Sequence, residues 1–477
     1  MTQAFSSTLP AWPRSKNLVS ALEARELIAL SVPITGTALI NMGMSITDTV
    51  MMGWIGPEAL AAGAVVSDLY SIVYYFMAGI LSASAALIAQ ALGARRGAEV
   101  RRVVRQGFIA AAFLTIPAFF LVWNASLLLR MFGVEETVIE LGNGYRQMMA
   151  LTVVPMMFVA VWRNAFAALG RPKIFLVATL LALPANGLAN AVFMFGMGPV
   201  PAMGVAGAGL SSAIVATGLA VGFAAFAVLN TEMRQLCLFR RSLRVDKRHL
   251  AEIFRLGIPI GFSSIGEVGV YLLSTVIISL FGATALAAHA ITLRMAGVVY
   301  ALIIGVSQAA TVRVSYAVGR GDLRETAESG WTALVVGTAF GLTIIAVLAG
   351  TADRLPWLFL EDGKVGTAAV ASTAASLLFL LGALNLAIGP TSSAMAILRG
   401  FKDTRVPMVL LLTAKWAIGM PVAYFAGFHL GWSAGGVWTG LVVAEAATAI
   451  LMCARLFRHS MEPHRWPSRS KQRKQLQ

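Results

Sequence analysis

Apolar runs of roughly twenty residues or more recur about twelve times along this chain, separated by short polar, glycine- or proline-bearing breaks. They predict helices near 27–52, 60–90, 107–129, 147–169, 174–198, 204–230, 256–282, 288–318, 329–350, 368–398, 406–428 and 434–454. A helix rising about 1.5 Å per residue needs roughly twenty residues to cross a hydrocarbon layer of about 30 Å. The expected fold is therefore an all-α integral membrane protein of about twelve transmembrane helices.

The pattern is also written twice. Residues 33–93 realign on 259–319 without a gap, 226 residues apart. Pro33 meets Pro259, Gly43 meets Gly269, Gly56 meets Gly282, Tyr74 meets Tyr300, Gly79 meets Gly305 and Gly93 meets Gly319, and Ala-Leu-Ala-Ala recurs at 59–62 and 285–288. Later parts match at slightly shifted offsets, with Lys173 on Lys402, Gly204 on Gly435 and Gly209 on Gly440. A duplicated six-span unit implies two pseudo-symmetric six-helix lobes, the layout of many secondary transporters. The expected division is a cytoplasmic tail over 1–26, a lobe over 27–230, a basic linker over 231–255, a second lobe over 256–454 and a basic tail over 455–477.

Composition narrows the setting. Of the 477 residues 58% are hydrophobic and only 12% charged, against roughly 25% charged in soluble chains. The net charge of +15 raises nucleic acid as a partner, but the distribution of the basic residues argues against it. Of 37 Lys and Arg, 29 fall in the tails and the loops at 93–106, 170–173, 231–255, 319–327 and 399–405. The opposite loops hold Arg130, Arg146, Arg354 and Lys364. Such asymmetry places both termini in the cytoplasm of a cell (inner) membrane. No signal peptide is expected. The basic C-terminal stretch reads as a solvated end touching anionic lipid, and Cys237 in a cytoplasmic loop and Cys453 near the inner end of the last span share a reducing setting in which no structural disulfide is expected.

Enzyme signatures are lacking, with no His-Glu-x-x-His, Walker or Gly-x-Ser-x-Gly motif, no metal-ligand cluster and no cofactor fingerprint on a strand. The glycines at 204, 207 and 209 open a membrane span and read as helix-packing positions. Candidate chemistry lies in polar residues at bilayer depth, where charge is costly unless water or a partner receives it. Asp48 in the first span and Glu267 in the seventh are the ion- or proton-coupling candidates, since a buried carboxylate can take up a proton or hold a cation. Lys415 and Glu445 lie deep in the last two spans and are expected to neutralise each other, or Lys415 to pair with Glu267. Arg163 and Arg313 are expected to snorkel to the inner interface, and Asp68 and Arg294 to serve at helix ends. Asn186 and Asn190 share a helical face beside Pro184, and with Asn41, Lys415 and Glu445 they are substrate-pathway candidates. The 21 methionines suit a pliable lining for apolar ligands, and equally ordinary filling.

Several segments together resemble the multidrug and toxic compound extrusion (MATE) family, particularly its NorM-like branch, over about residues 25–455. They are Asp48-Thr-Val-Met-Met-Gly-Trp-Ile-Gly, Ile88-Ala-Gln-Ala-Leu-Gly-Ala, Asn186-Gly-Leu-Ala-Asn, Gly257-Ile-Pro-Ile-Gly through Glu267, Val312-Arg-Val-Ser-Tyr-Ala-Val-Gly-Arg-Gly and Leu398-Arg-Gly-Phe-Lys-Asp-Thr. The resemblance implies export of cationic or amphipathic compounds, drugs or toxic metabolites, by Na⁺ or H⁺ antiport with alternating access, without a cofactor and as a monomer. It matches Asp48 to the family's first-span acid and Glu267 to its seventh-span cation-site acid. One departure stands out: the branch has an aspartate in span 10 where this chain reads Asn385-Leu-Ala-Ile-Gly-Pro-Thr, with Ile388 near the expected place. A hard cation wants several oxygen ligands, so Na⁺ at Glu267 loses ground to proton coupling. The alternative reading is a flippase of lipid-linked oligosaccharide or lipid on a related fold.

Overall fold

The structure is a computed structural model that describes residues 19–230, 244–360 and 366–460. Cys237, part of the basic linker and the basic C-terminal tail lie outside the described residues. Among the described residues there are twelve long helices, here α1 to α12, each apolar and long enough to cross a membrane. They are α1 Ala21–Ile55, α2 Pro57–Gly93, α3 Gly97–Trp123, α4 Glu136–Ala168, α5 Pro172–Phe195, α6 Val205–Leu229, α7 Lys247–Ser279, α8 Ala283–Arg320, α9 Leu323–Thr351, α10 Thr367–Gly400, α11 Arg405–His429 and α12 Ser433–Ser460. No strand occurs among the described residues.

Local signals fix many of the ends. Gly56 and Gly282, equivalent in the repeat, precede α2 and α8 with φ of 153° and 97°, a conformation that side-chain-bearing residues rarely adopt. Pro57 and Pro172 occupy first-turn positions, where a missing N–H costs nothing. Asp322 caps α9 by accepting from the backbone N–H groups of Arg324 and Glu325. Pro33 in α1 and Pro259 in α7 interrupt matching turns, and Thr37 and Ser263, also equivalent, each donate a hydroxyl to the proline carbonyl at 3.0 Å.

The described residues divide into two compact units, one within 33–265 and the other combining 19–32 with those from Gly266 onward. In the first, α4 packs on α2, α3 and α6, and α5 packs on α6. In the second, α10 plays the part of α4, packing on α8, α9 and α12, while α11 packs on α12. The central helix of each unit is the most enclosed: Trp162 and Phe166 on α4 are buried among Phe108, Phe175 and Phe223, and Leu377, Leu378 and Leu381 on α10 among Ile344, Leu348 and Trp438.

Lipid offers no hydrophobic drive between helices, so close approach at small residues supplies the packing. A Cβ on Gly207 would fall 2.3 Å from the Phe193 carbonyl oxygen, and one on Gly389 2.2 Å from that of Gly337. Gly207 and Gly209 thus act as packing positions, as their sequence predicts, whereas Gly204, with φ of 58° and open space around it, serves the turn that precedes α6.

An ion pair anchors the second unit at the start of α1. Glu23 receives the Arg313 guanidinium through Nε and Nη2, and the Ser329 hydroxyl donates to it at 2.9 Å. All three residues are buried. Arg313 therefore does not snorkel to the interface; a buried carboxylate on another helix provides its partner.

Candidate functional site

In the first unit the acid of α1 meets an amide of α5. Asn190 Nδ2 donates to Asp48 Oδ1 at 2.5 Å. The contact follows from how the helices lie together. A Cβ on Gly36 would come 2.9 Å from Leu176, one on Gly43 3.8 Å from Leu183, and one on Gly187 3.8 Å from Thr47. Leu176, Leu183 and Asn190 recur every seven residues, nearly two turns, so the side of α5 that faces α1 presents Asn190 where Asp48 arrives.

The surroundings of that pair are polar and incompletely satisfied. Asn186 and Asn190 are both fully buried. Neither Nδ2 nor Oδ1 of Asn186 has a hydrogen-bond partner, and Oδ1 of Asn190 also has none. Asp48 is half-buried, and Asn41, two turns earlier on the same side of α1, is exposed. The structure thus joins Asp48 with Asn190.

In the second unit three charged side chains converge. Lys415 Nζ donates to Glu267 Oε1 at 3.1 Å and to Glu445 Oε2 at 2.8 Å. The side chains of Lys415 and Glu445 are 5% and 4% exposed and that of Glu267 is 24% exposed, so Glu267 is the accessible member. Tyr300 on α8 donates to the other oxygen of Glu267 at a long 3.4 Å. Lysine is not committed to one glutamate, as the sequence reading had it; it bridges both.

Glycines again set the geometry. A Cβ at Gly266 would lie 2.2 Å from Leu412 and one at Gly269 3.0 Å from Trp416, which lets α11 close onto α7 on either side of Glu267. The Trp416 indole N–H donates to the Gly266 carbonyl at 3.1 Å. Gly419 and Gly440 admit α12 in the same way, against Ala444 and Ala423. Lys415 itself lies in a π-helical stretch, Thr413–Gly419, immediately before Pro421. Proline cannot donate to the carbonyl four residues earlier, so the ladder changes register there, and such widened turns re-aim side chains at functional positions.

Ile388 packs partly buried against the apolar core of the second unit. Asn385 turns its Nδ2 back to the Leu381 carbonyl at 2.7 Å and leaves Oδ1 without a partner. Among the described residues no three His, Cys, Asp or Glu side chains could together hold a metal ion.

A buried histidine that the sequence reading gave no site role joins these polar groups. His289 on α8 accepts from the Trp438 indole N–H at Nδ1, 3.1 Å, and its Nε2 lies 2.9 Å from Thr275 Oγ1. With Nδ1 accepting, Nε2 carries the proton and donates to Thr275, which passes its own hydrogen to the Tyr271 carbonyl at 3.0 Å. Its repeat equivalent is Gly63, so the periodic signal that exposes the duplication gives no hint of it.

The MatE family model matches residues 33–192 and 259–425, one copy in each half. The chain is a MATE-family, NorM-like protein. It is 33% identical over 454 residues to the probable multidrug resistance protein NorM of Mesorhizobium japonicum, covering 95% of this chain and 97% of that one. It is 31% identical to the Pseudomonas aeruginosa protein of the same name, over 90% of this chain and 88% of that one. Among solved structures, the eukaryotic MATE transporter AtDTX14 superposes with a TM-score of 0.81 at 16% identity, over 92% of this chain and 98% of that one. An outward-facing multidrug resistance MATE family transporter superposes at 0.83 and 17% identity, over 92% and 96%. These likenesses establish the MATE fold.

With the repeat established, the candidate residues of this MATE chain can be set side by side. Glu267 is the repeat equivalent of Asn41, and Asp48 that of Ser274, at the offset of 226. At the offset relating Lys173 to Lys402, Lys415 falls on Asn186. The two halves have kept the same helices and exchanged their polar groups.

Proposed function

We propose that this protein is a secondary active efflux transporter that exports cationic or amphipathic small molecules across the cell membrane by alternating access, driven by proton antiport. Its relatives' names point to drugs as the cargo class. The observation that carries the coupling assignment is the contrast between the carboxylates. Asp48 has one neutral amide as its partner, whereas Glu267 and Glu445 share a lysine ammonium.

A lone acid at bilayer depth is suited to taking up and releasing a proton, because each uptake removes a charge from a medium that penalises it. Such a group biases the equilibrium between inward- and outward-facing states only if its affinity differs between them. The unpartnered oxygens of Asn186 and Asn190 are acceptors for a hydrogen bond from water or from the N–H of a cationic substrate. Glu267, the accessible member of the second cluster, serves as the anionic contact for cargo.

The flippase reading asks for an unneutralised cationic surface to meet a phosphate. Lys415 is held by two carboxylates and does not offer one. Transport needs no enzyme chemistry or cofactor, and both termini are assigned to the cytoplasm by the clustering of basic residues in the tails and alternate loops.

Purified protein in proteoliposomes, loaded with a fluorescent cationic dye, tests the assignment under separately imposed pH and Na⁺ gradients. Efflux driven by the proton gradient alone is expected. Efflux that follows only the Na⁺ gradient would overturn proton coupling, and movement of a labelled lipid with no dye transport would favour the flippase.

A further inference from the structure

We propose that Lys415 is the resident cation of the second unit's carboxylate site, and that its ammonium excludes Na⁺ from a position where Glu267 and Glu445 would otherwise hold it. Glu267 reaches in from α7 and Glu445 from α12, and their oxygens stand 3.1 and 2.8 Å from one point, the Lys415 nitrogen. Two carboxylates aimed at one buried point from different helices supply oxygen ligands and negative charge to a monovalent cation placed there. Here that cation is covalently attached.

Three observations separate this from an ordinary ion pair. One donor of the ammonium goes to each glutamate, so the lysine stands between two acids where a pair would need only one. The cluster carries two negative charges against one positive, and its accessible acid, Glu267, retains an oxygen met only by the long contact from Tyr300. The backbone bends to the task as well, for Lys415 lies within the π-helical stretch and its neighbour Trp416 ties that stretch to the Gly266 carbonyl beside Glu267. The amine is thereby held on the acids from a fixed length of helix, at an effective concentration no dissolved ion approaches.

The consequence is a rule for ion choice. A tethered ammonium occupies the point between the two glutamates at any Na⁺ concentration, so Na⁺ has no place to fill there. Removing the ammonium should create that site. The idea deepens the antiport reading and depends on it for its physiological meaning. Cation binding by purified protein is read without transport, however, so either can fail while the other stands.

The experiment is thermal unfolding of detergent-purified protein in NaCl against choline chloride at matched ionic strength. Wild type and Lys415→Arg should melt alike in the two salts. Lys415→Ala should gain a saturable Na⁺-dependent rise in Tm of roughly 2–4 °C. Lys415→Ala/Glu267→Gln should lose most of that rise. Because Lys415→Ala brings two uncompensated acids together and can fail to fold, Lys415→Ala/Glu445→Gln is the companion variant, with the native net charge and a single acid. It should retain a smaller Na⁺-dependent rise, abolished when Glu267→Gln is added. Folded Lys415→Ala or Lys415→Ala/Glu445→Gln protein that melts identically in both salts would overturn the proposal. So would wild-type protein already stabilised by Na⁺ to the same extent.

Discussion

The two units place different electrostatics on the same pair of helices. In the first, α1 and α5 bring together a carboxylate and an amide; in the second, the equivalent α7 and α11 bring together a carboxylate and an ammonium, and α12 adds a second acid. The acid has also shifted. Asp48 corresponds to Ser274 and Glu267 to Asn41, so the carboxylate sits two turns, about 10 Å, further along α1 than along α7. On the proposed reading, the duplicated scaffold carries one site that changes its charge by a proton and one whose two acids share a lysine of the same unit. Duplication supplies the framework, and divergence at a few polar positions separates the roles.

The largest effect is expected where compensation is absent. Asp48→Asn keeps the size of the side chain and a partner for Asn190 but removes the titrating group. Dye efflux under a pH gradient should fall to the level of protein-free vesicles, with membrane insertion and Tm little changed. Glu267→Gln should instead weaken cargo affinity while leaving proton-driven exchange measurable at high dye concentration. Equal and complete loss in both variants would erase the difference between the units.

Next comes the stability of the compensated cluster. Lys415→Met leaves the buried Glu445 carboxylate facing the partly exposed Glu267, and removing one partner of a buried ionic network costs about 3–5 kcal/mol. The loss should appear as a lower Tm near neutral pH, and adding Glu445→Gln should restore much of it. A Lys415→Met protein as stable as wild type would show that the acids do not depend on the lysine. Glu23→Gln tests a buried pair away from the cluster, since it weakens what holds Arg313. It should cost about 2–3 kcal/mol in Tm measurements and leave the ion preference untouched, because hydrogen bonding to the guanidinium is only partly kept.

Much of this was legible in the chain. Length and uniform apolarity force helices, and the gapless match at 33–93 and 259–319 reveals the repeat because glycine, proline and tyrosine sit at backbone-critical positions in both copies. Asp48, Glu267, Lys415 and Glu445 stood out because charge is rare inside such runs. What could not be read was geometry between spans. Nothing local says that Lys415 reaches two glutamates 148 and 30 residues away, since that depends on Gly266, Gly419 and Gly440 admitting helices to contact and on the register change before Pro421. Arg313 was misjudged for a related reason. Its place near a span end suggested snorkelling, while its partner, Glu23, lies 290 residues away in a segment that the linear pattern treats as a tail.

The smallest expected effect is the most discriminating test of the first unit. Asn186 is fully buried with both amide atoms unpartnered, while its neighbour one turn on, Asn190, holds Asp48. Leaving a buried polar group without a partner costs about 1–3 kcal/mol, so a residue kept only as filling should be improved by an apolar replacement. Asn186→Leu is therefore expected to raise Tm modestly, by the equivalent of about 1 kcal/mol after the larger side chain is accommodated. Asn190→Leu should do the opposite, because it strips Asp48 of its partner. If the amide of Asn186 serves protons or cargo, the stabilised Asn186→Leu protein will export dye more slowly at every pH, trading function for stability. If efflux is unchanged while Tm rises, Asn186 is filling, and proton exchange in the first unit rests on Asp48 and Asn190 alone.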